Sequence, residues 1–177
     1  MWIKDLIRMN ESEALLEKTT IRIRRNKPKD DAQIEKLIRT CLIEFDGIRE
    51  GTAWYDPYLG RFSEVYNSEN SAYWVAVDKN ENVICGVGIG PVKDALGVCE
   101  LQKMYAWPEY RGTGLAQKML DIALDFAKEH YSRCYLETFA NMLAAHAFYK
   151  RNGFECINHF VGDTGHHACE VKMIKNL

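Results

Sequence analysis

Apolar positions along this chain change their spacing in blocks, and the blocks define its elements. In "TTIRIRRN" isoleucines alternate with arginines, the period-two pattern of a half-buried strand. "PKDDAQIEKLIRTCLIEF" opens with a proline and aspartates. It then places Ile34, Leu37, Ile38, Cys41, Leu42 and Phe45 at helical spacing, which predicts a helix with one buried face. "DGIREGTAWYDPYLGRFSEVYNSEN" mixes glycine, proline and aromatics with weak periodicity, a loop with a short helix and a place for specificity. "AYWVAV" and "VICGVGIG", joined by "DKNEN", predict an antiparallel hairpin, and "KDALG" turns the chain into "VCELQKMY". After Gly114, Leu115, Met119, Ile122, Ala123, Phe126 and Ala127 form one helical stripe, followed by the strand "CYLETF". The helix "MLAAHAFYKRN" ends at Gly153 as its cap, and "ECINHFV" and "ACEVKMI" close the chain as strands around "GDTGHH". Strand, helix, strand in the middle implies a parallel pair with antiparallel hairpins on either side, hence a mixed sheet with helices on its faces.

Length and composition narrow the function classes. With 177 residues, 47% hydrophobic and 27% charged, the chain has the size and make-up of one ordinary globular domain. The formal net charge of -2 argues against a nucleic-acid partner, and the one basic cluster, Ile21 to Lys29, is the solvated face of the first strand. Residues 1–18 carry Trp2, Ile3, Leu6 and Ile7 at helical spacing. This is expected to be an amphipathic helix appended to a domain spanning 19–177, docked on that domain or on a second copy in a homodimer. It is too short and too polar to span a membrane, and it lacks a signal-peptide pattern. Six cysteines scattered through apolar segments fit reduced thiols and a cytoplasmic protein.

The stretch "MYAWPEYRGTGLAQKML", from Met104 to Leu120, puts Gly112 and Gly114 between a strand and the first turn of a helix. Backbone N–H groups there lack intrahelical partners, glycines remove side chains that would block an approaching phosphate, and Arg111 adds a charge. The unit suits a pyrophosphate, although a plain tight turn has the same look. A dinucleotide fingerprint would need a glycine where Gln117 stands, and a P-loop needs Gly-Lys-Ser/Thr.

"MYAWPEYRGTGLA" resembles motif A of the GNAT superfamily, the Gcn5-related N-acetyltransferases, with Arg111, Gly114 and Ala116 at the motif positions. "AAHAFYKRNGF" is similar to motif B, with Tyr149 and Gly153-Phe154 in place, and the element order agrees from Thr19 to Ile174. The resemblance implies an α/β domain with a mixed, mostly antiparallel sheet of six to seven strands, a central parallel pair that splays apart, and helices on both faces. It also implies acetyl-CoA as co-substrate, and no metal. Cofactor contacts would come from Met104, Tyr105, Ala106, Arg111, Gly112, Thr113, Gly114, Leu115, Ala116 and Phe148. Where many members carry an asparagine for the pantetheine arm this chain has Met142, and neighbouring Asn141 is either a cofactor contact or a helix cap.

The chemistry so implied is acetyl transfer to a primary amine by direct attack. An alkyl ammonium has a pKa of about 10 and must lose a proton before it can attack. Glu100, four residues before Met104, stands where acetyltransferases of this type keep the general base, with Glu137 in reserve; Tyr149 fits the general acid that protonates the departing thiolate. The acceptor is expected to be a small molecule, the alternatives being protein lysine or N-terminal amines, or a non-catalytic acyl-CoA sensor. Trp54, Tyr55, Asp56 and Tyr58 are candidates to line the acceptor side, Asp56 meeting a cationic amine, and "TGHH" is a candidate border of the same pocket. Cys156, His159, His166, His167 and Cys169 match no common zinc spacing, and Cys156 and His159 would face opposite sides of one strand.

Overall fold

The computed structural model describes residues 20–177, so the expected helix over residues 1–18 lies outside the described residues. Seven strands, β1 (Arg22–Arg25), β2 (Ala72–Val77), β3 (Val83–Pro91), β4 (Val98–Ala106), β5 (Arg133–Thr138), β6 (Glu155–Ile157) and β7 (Val171–Asn176), form one sheet in the order β1-β2-β3-β4-β5-β7-β6. Every neighbouring pair is antiparallel except β4 and β5, as the central strand–helix–strand pattern requires. Helices α1 (Asp31–Glu44) and α2 (Phe62–Val65) cover one face; α3 (Leu115–His130) and α4 (Leu143–Arg151) cover the other. Among the described residues no helix is long and apolar enough to cross a membrane.

The α1 stripe packs as the periodicity predicts: Ile34, Leu37, Ile38, Cys41 and Leu42 are buried against Tyr73, Val75 and Val77. Its start is pinned to β1 by Asp30, fully buried, whose carboxylate takes both guanidinium nitrogens of Arg24 (2.6 and 3.0 Å) and the Lys27 backbone N–H (2.7 Å). A bidentate, hydrogen-bonded pair of this kind is how a charge tolerates complete burial. On the opposite face the α3 stripe is rotated slightly from its expected setting. Leu120 and Leu124 share the buried positions with Leu115, Met119, Ala123 and Ala127, while Ile122 and Phe126 sit at the rim, Phe126 edge-on to Trp74.

Two expectations shift at the carboxyl end. "ECINHFV" supplies only three strand residues, because from Asn158 the chain leaves the sheet. It crosses to the α1 face, where Asp163 bridges Lys93 and the Ala168 N–H donates to the Gly51 carbonyl. β7 then inserts between β5 and β6. Secondly, Asn141 does not cap α4: Met142 holds that position, and the Asn141 amide donates to the Phe45 carbonyl at the end of α1.

Glycines 86, 88 and 90 alternate along β3 on the α1 face, and each clears room for a polar-tipped side chain. A Cβ on Gly86 would lie 2.3 Å from the Tyr73 hydroxyl, one on Gly88 2.9 Å from the Tyr66 ring, and one on Gly90 2.9 Å from the Gln102 amide oxygen. We expect Gly86→Ala to destabilise the fold by about 1–3 kcal/mol through forced repacking of Tyr73. Urea denaturation measures this; an unchanged midpoint would mean that the tyrosine moves aside at no cost.

Candidate active site

β4 and β5 stay together for three positions only, Val98 with Arg133, Cys99 with Cys134 and Glu100 with Tyr135. β4 runs on to Ala106 and β5 to Thr138 without pairing to each other. The cause lies on the other edge of β4. Between Gly86 and Gly88 of β3, β4 goes from Tyr105 to Gln102, one residue too many, and Lys103 takes a positive φ of 50°. A bulge bends and twists its strand, so β4 turns away from β5 at that point. The Lys103 carbonyl accepts a hydrogen bond from the Tyr73 hydroxyl at 3.0 Å, which holds the bulge in place.

The gap is a cavity of about 80 Å³ whose walls include Lys103, Met104 and Tyr105 of β4, Glu137 and Thr138 of β5, and Tyr149 of α4. A broader surface concavity of about 450 Å³, around Arg25, Asn26 and Ser63, is lined by none of the expected site residues. Tyr149 is buried between the rings of Phe148 and Phe154, and burial raises its pKa, so the phenol stays protonated. Among the described residues its hydroxyl takes no hydrogen-bond partner. Phe148 lies beside it, half-buried.

Two carboxylates stand on the α1 face of the parted strands. Glu100 is 5% exposed; burial pushes its pKa up, against the opposing pull of Lys103 and of the Gln102 amide, which donates to it at 2.7 Å. The Gln102 oxygen in turn accepts from the Tyr66 hydroxyl at 2.8 Å, so the chain Tyr66–Gln102–Glu100 has one amide orientation. Glu100 does not line the cavity, whereas Glu137 does. Glu137 Oε1 accepts from Tyr135 (2.9 Å) and Thr164 (2.8 Å), while its Oε2 is buried with no partner among the described residues. Asp56 is differently placed from its expected role. Its carboxylate meets this chain's own Lys103 Nζ (2.7 Å) and His166 Nε2 (2.9 Å) rather than an open space for an amine. Trp54 is stacked by Arg39, and Tyr55 and Tyr58 are exposed.

At the far end of β4 the turn into α3 has Gly112 at φ 72° and Gly114 at φ 84°, and nothing lies within 4 Å of a Cβ built on either. Backbone strain, not crowding, requires glycine there, and the side facing away from the core is open. Thr113 and Leu115 turn inward, the Thr113 hydroxyl donating to the Tyr110 carbonyl at 2.8 Å and accepting from the Leu115 N–H at 3.4 Å, which leaves the N–H groups of Gly112, Thr113, Gly114 and Ala116 without a partner among the described residues. Ala116 continues the first turn of α3, half-buried. Arg111 is engaged by the protein itself. Its guanidinium forks onto Glu44 (2.6 and 2.7 Å) and bonds the Ala106 carbonyl (3.0 Å), tying the turn to α1 with its charge already matched. Of the carboxyl-terminal cysteines and histidines, His166 joins Asp56 while Cys156 is exposed on β6.

Thr164 belongs to the "TGHH" turn expected to border the pocket, whereas Lys103, Gln102 and Tyr66 carry no motif of their own. The trace of Gln102 and Lys103 in the sequence is the polar run Glu100, Gln102, Lys103 inside an otherwise apolar strand.

Residues 33–154 match the model of the acetyltransferase (GNAT) family. The chain is 40% identical over 158 residues, 88% of its length and 94% of the relative's, to an uncharacterised N-acetyltransferase, YjgM, of Escherichia coli K12. Its fold superimposes with a TM-score of 0.78 on a GNAT-family acetyltransferase from Staphylococcus aureus Mu50, at 20% identity over 89% of this chain and 99% of that one. The PaiA N-acetyltransferase of Thermoplasma acidophilum, solved in complex with coenzyme A, gives 0.66 at 17% identity with the same coverage. A strand pair opened by a bulge, a glycine turn leading into a helix below it and a buried tyrosine facing the gap thus occur on a matching sequence and a matching fold: the chain belongs to the GNAT family and is an acyl-CoA-dependent N-acetyltransferase.

Proposed function

We propose that the chain moves an acetyl group from acetyl-CoA to the primary amine of a small molecule, with Glu100 as base and Tyr149 as acid. The observation that carries this reading is the parting of β4 from β5 over a cavity that holds Tyr149 at its wall. The backbone edge of Met104, Tyr105 and Ala106 is left without a strand neighbour on that side, so an extended arm can pair with it as an added strand would. The N–H groups of Gly112, Thr113, Gly114 and Ala116 suit the pyrophosphate, with Arg111 positioning the turn through Glu44 instead of meeting the phosphates. Acetyl-CoA supplies the activated acyl group and a thiolate leaving group.

The protein's own groups then divide the proton work. Burial moves Glu100 toward neutrality, which suits a base that takes a proton from an ammonium at physiological pH, through one water since Glu100 does not line the cavity. Gln102 and Tyr66 hold that carboxylate in one orientation. Tyr149, kept protonated by burial, gives its proton to the sulfur as the C–S bond breaks. A small acceptor fits because the segment before β7 is drawn onto the cavity's surroundings, Cys169 lining it, Thr164 bonding Glu137 and His166 bonding Asp56.

Calorimetric titration with acetyl-CoA is expected to show binding, and its absence at high micromolar concentration would end the assignment. Tyr149→Phe should lower kcat about 10²-fold with little change in acetyl-CoA affinity, as removal of a general acid does. For the base, kcat/KM should rise with pH through the elevated pKa of Glu100, and Glu100→Gln should remove that limb; if Glu137→Gln removes it instead, Glu137 is the base.

Stability offers an independent check on Glu100. Its folded pKa lies above the ordinary 4.5, so as pH rises through 4.5 the unfolded chain sheds its proton first and the native state loses stability until the carboxyl also ionises in the fold. Glu100→Gln is therefore expected to gain stability relative to wild type between pH 4 and pH 8 in urea denaturation. A difference that does not vary with pH would contradict the burial effect.

A further inference from the structure

Lys103 and Glu137 face the same cavity from opposite strands, yet they do not bond to each other. Lys103 is the residue on the bulge, and its side chain is 9% exposed. It spends one N–H on Asp56 Oδ2 at 2.7 Å. Its second neighbour, His166 Nε2 at 3.0 Å, also lies 2.9 and 3.2 Å from the two Asp56 oxygens. The His166 ring thus stands on both members of the Asp56–Lys103 pair and closes that side of the ammonium. With Asp56 and His166 both counted, an ammonium of three N–H donors keeps one unspent in a nearly closed site. Across the gap, Glu137 Oε2 is buried with no donor among the described residues, an acceptor that a ligand N–H can meet.

A cation with a spare donor and a carboxylate with a spare acceptor, held on two strands that the bulge keeps apart, complement a ligand with one charge of each sign. Resting on the transferase reading above, we infer that the acceptor is an amino-carboxylate, an amino acid or a close relative, its ammonium taken by Glu137 Oε2 and its carboxylate by Lys103. A diamine would bring a second cation against Lys103, and a lysine side chain on a protein carries no carboxylate beside its amine. Lys103 and Glu137 are on this account the residues that select the acceptor.

The test follows thiol release from acetyl-CoA with the wild-type protein on three matched sets: free L-α-amino acids, their carboxamides, and 1,4-diaminobutane. At least one amino acid is expected to be turned over with kcat/KM about 30-fold or more above its carboxamide, the scale of losing one partner of a buried charge pair. The paired variant Lys103→Met with Asp56→Asn, which leaves no orphaned carboxylate, should raise KM for the amino acid and abolish the preference over the amide. Glu137→Gln should raise KM for both acid and amide. Equal rates for acid and amide, a preference for the diamine, or acetyl-CoA binding with turnover of none of the three would overturn the inference and leave the acetyl-CoA assignment standing. Failure of acetyl-CoA to bind by calorimetry would instead remove the transferase reading on which it rests.

Discussion

One extra residue in β4 is the constraint on which the rest of the site depends. The bulge at Lys103 exists because β3 offers no side chains on that face: the Gly86 and Gly88 positions are filled by Tyr73 and Tyr66, and the Tyr73 hydroxyl grips the Lys103 carbonyl. A strand bent there cannot follow a straight parallel neighbour, and the ladder to β5 ends after Glu100 and Tyr135. The cavity, the unpaired edge of β4 and the inward aim of the Lys103 side chain follow from that one departure from regular pairing.

The departure also explains how so many ionisable groups come to share a small buried volume. Glu100, Glu137, Lys103, Asp56 and His166 come from β4, β5, the loop after α1 and the segment before β7, and no single element could present them together. Lys103 and His166 share Asp56, Tyr135 and Thr164 hold one oxygen of Glu137, and Gln102 holds Glu100. Such a network is tolerated in a low-dielectric interior to the extent that its members are satisfied. The apolar face beneath, with Met119, Leu120 and Tyr149, carries the packing that keeps the arrangement rigid.

The elements themselves were legible because hydrophobic spacing is a local property. Ala72–Val77, Val83–Pro91 and the α1 stripe from Ile34 to Leu42 stand where alternation and helical periodicity place them. The Gly112 and Gly114 turn was legible too, since a positive φ followed by an apolar helical stripe leaves a compositional mark. Asp56 and Arg111 show the limit of that kind of reading. Each was recognised as a charged residue near the site, but its partner lies far along the chain, Lys103 and His166 for one and Glu44 for the other. Nothing in local sequence says whether a charge is already matched.

What the chain's sequence determined by itself was the order of elements, the parallel centre of the sheet and the two motifs that mark a GNAT acetyltransferase. All of these depend on neighbours within a few turns of helix or strand. Only the tertiary structure decided where β4 leaves β5, which charges are spent on one another, and which oxygen of Glu137 stays without a donor. A bulge depends on the side chains of the facing strand, and the matching of a buried charge depends on residues up to 110 positions away. Those relations exist only once the chain has closed on itself.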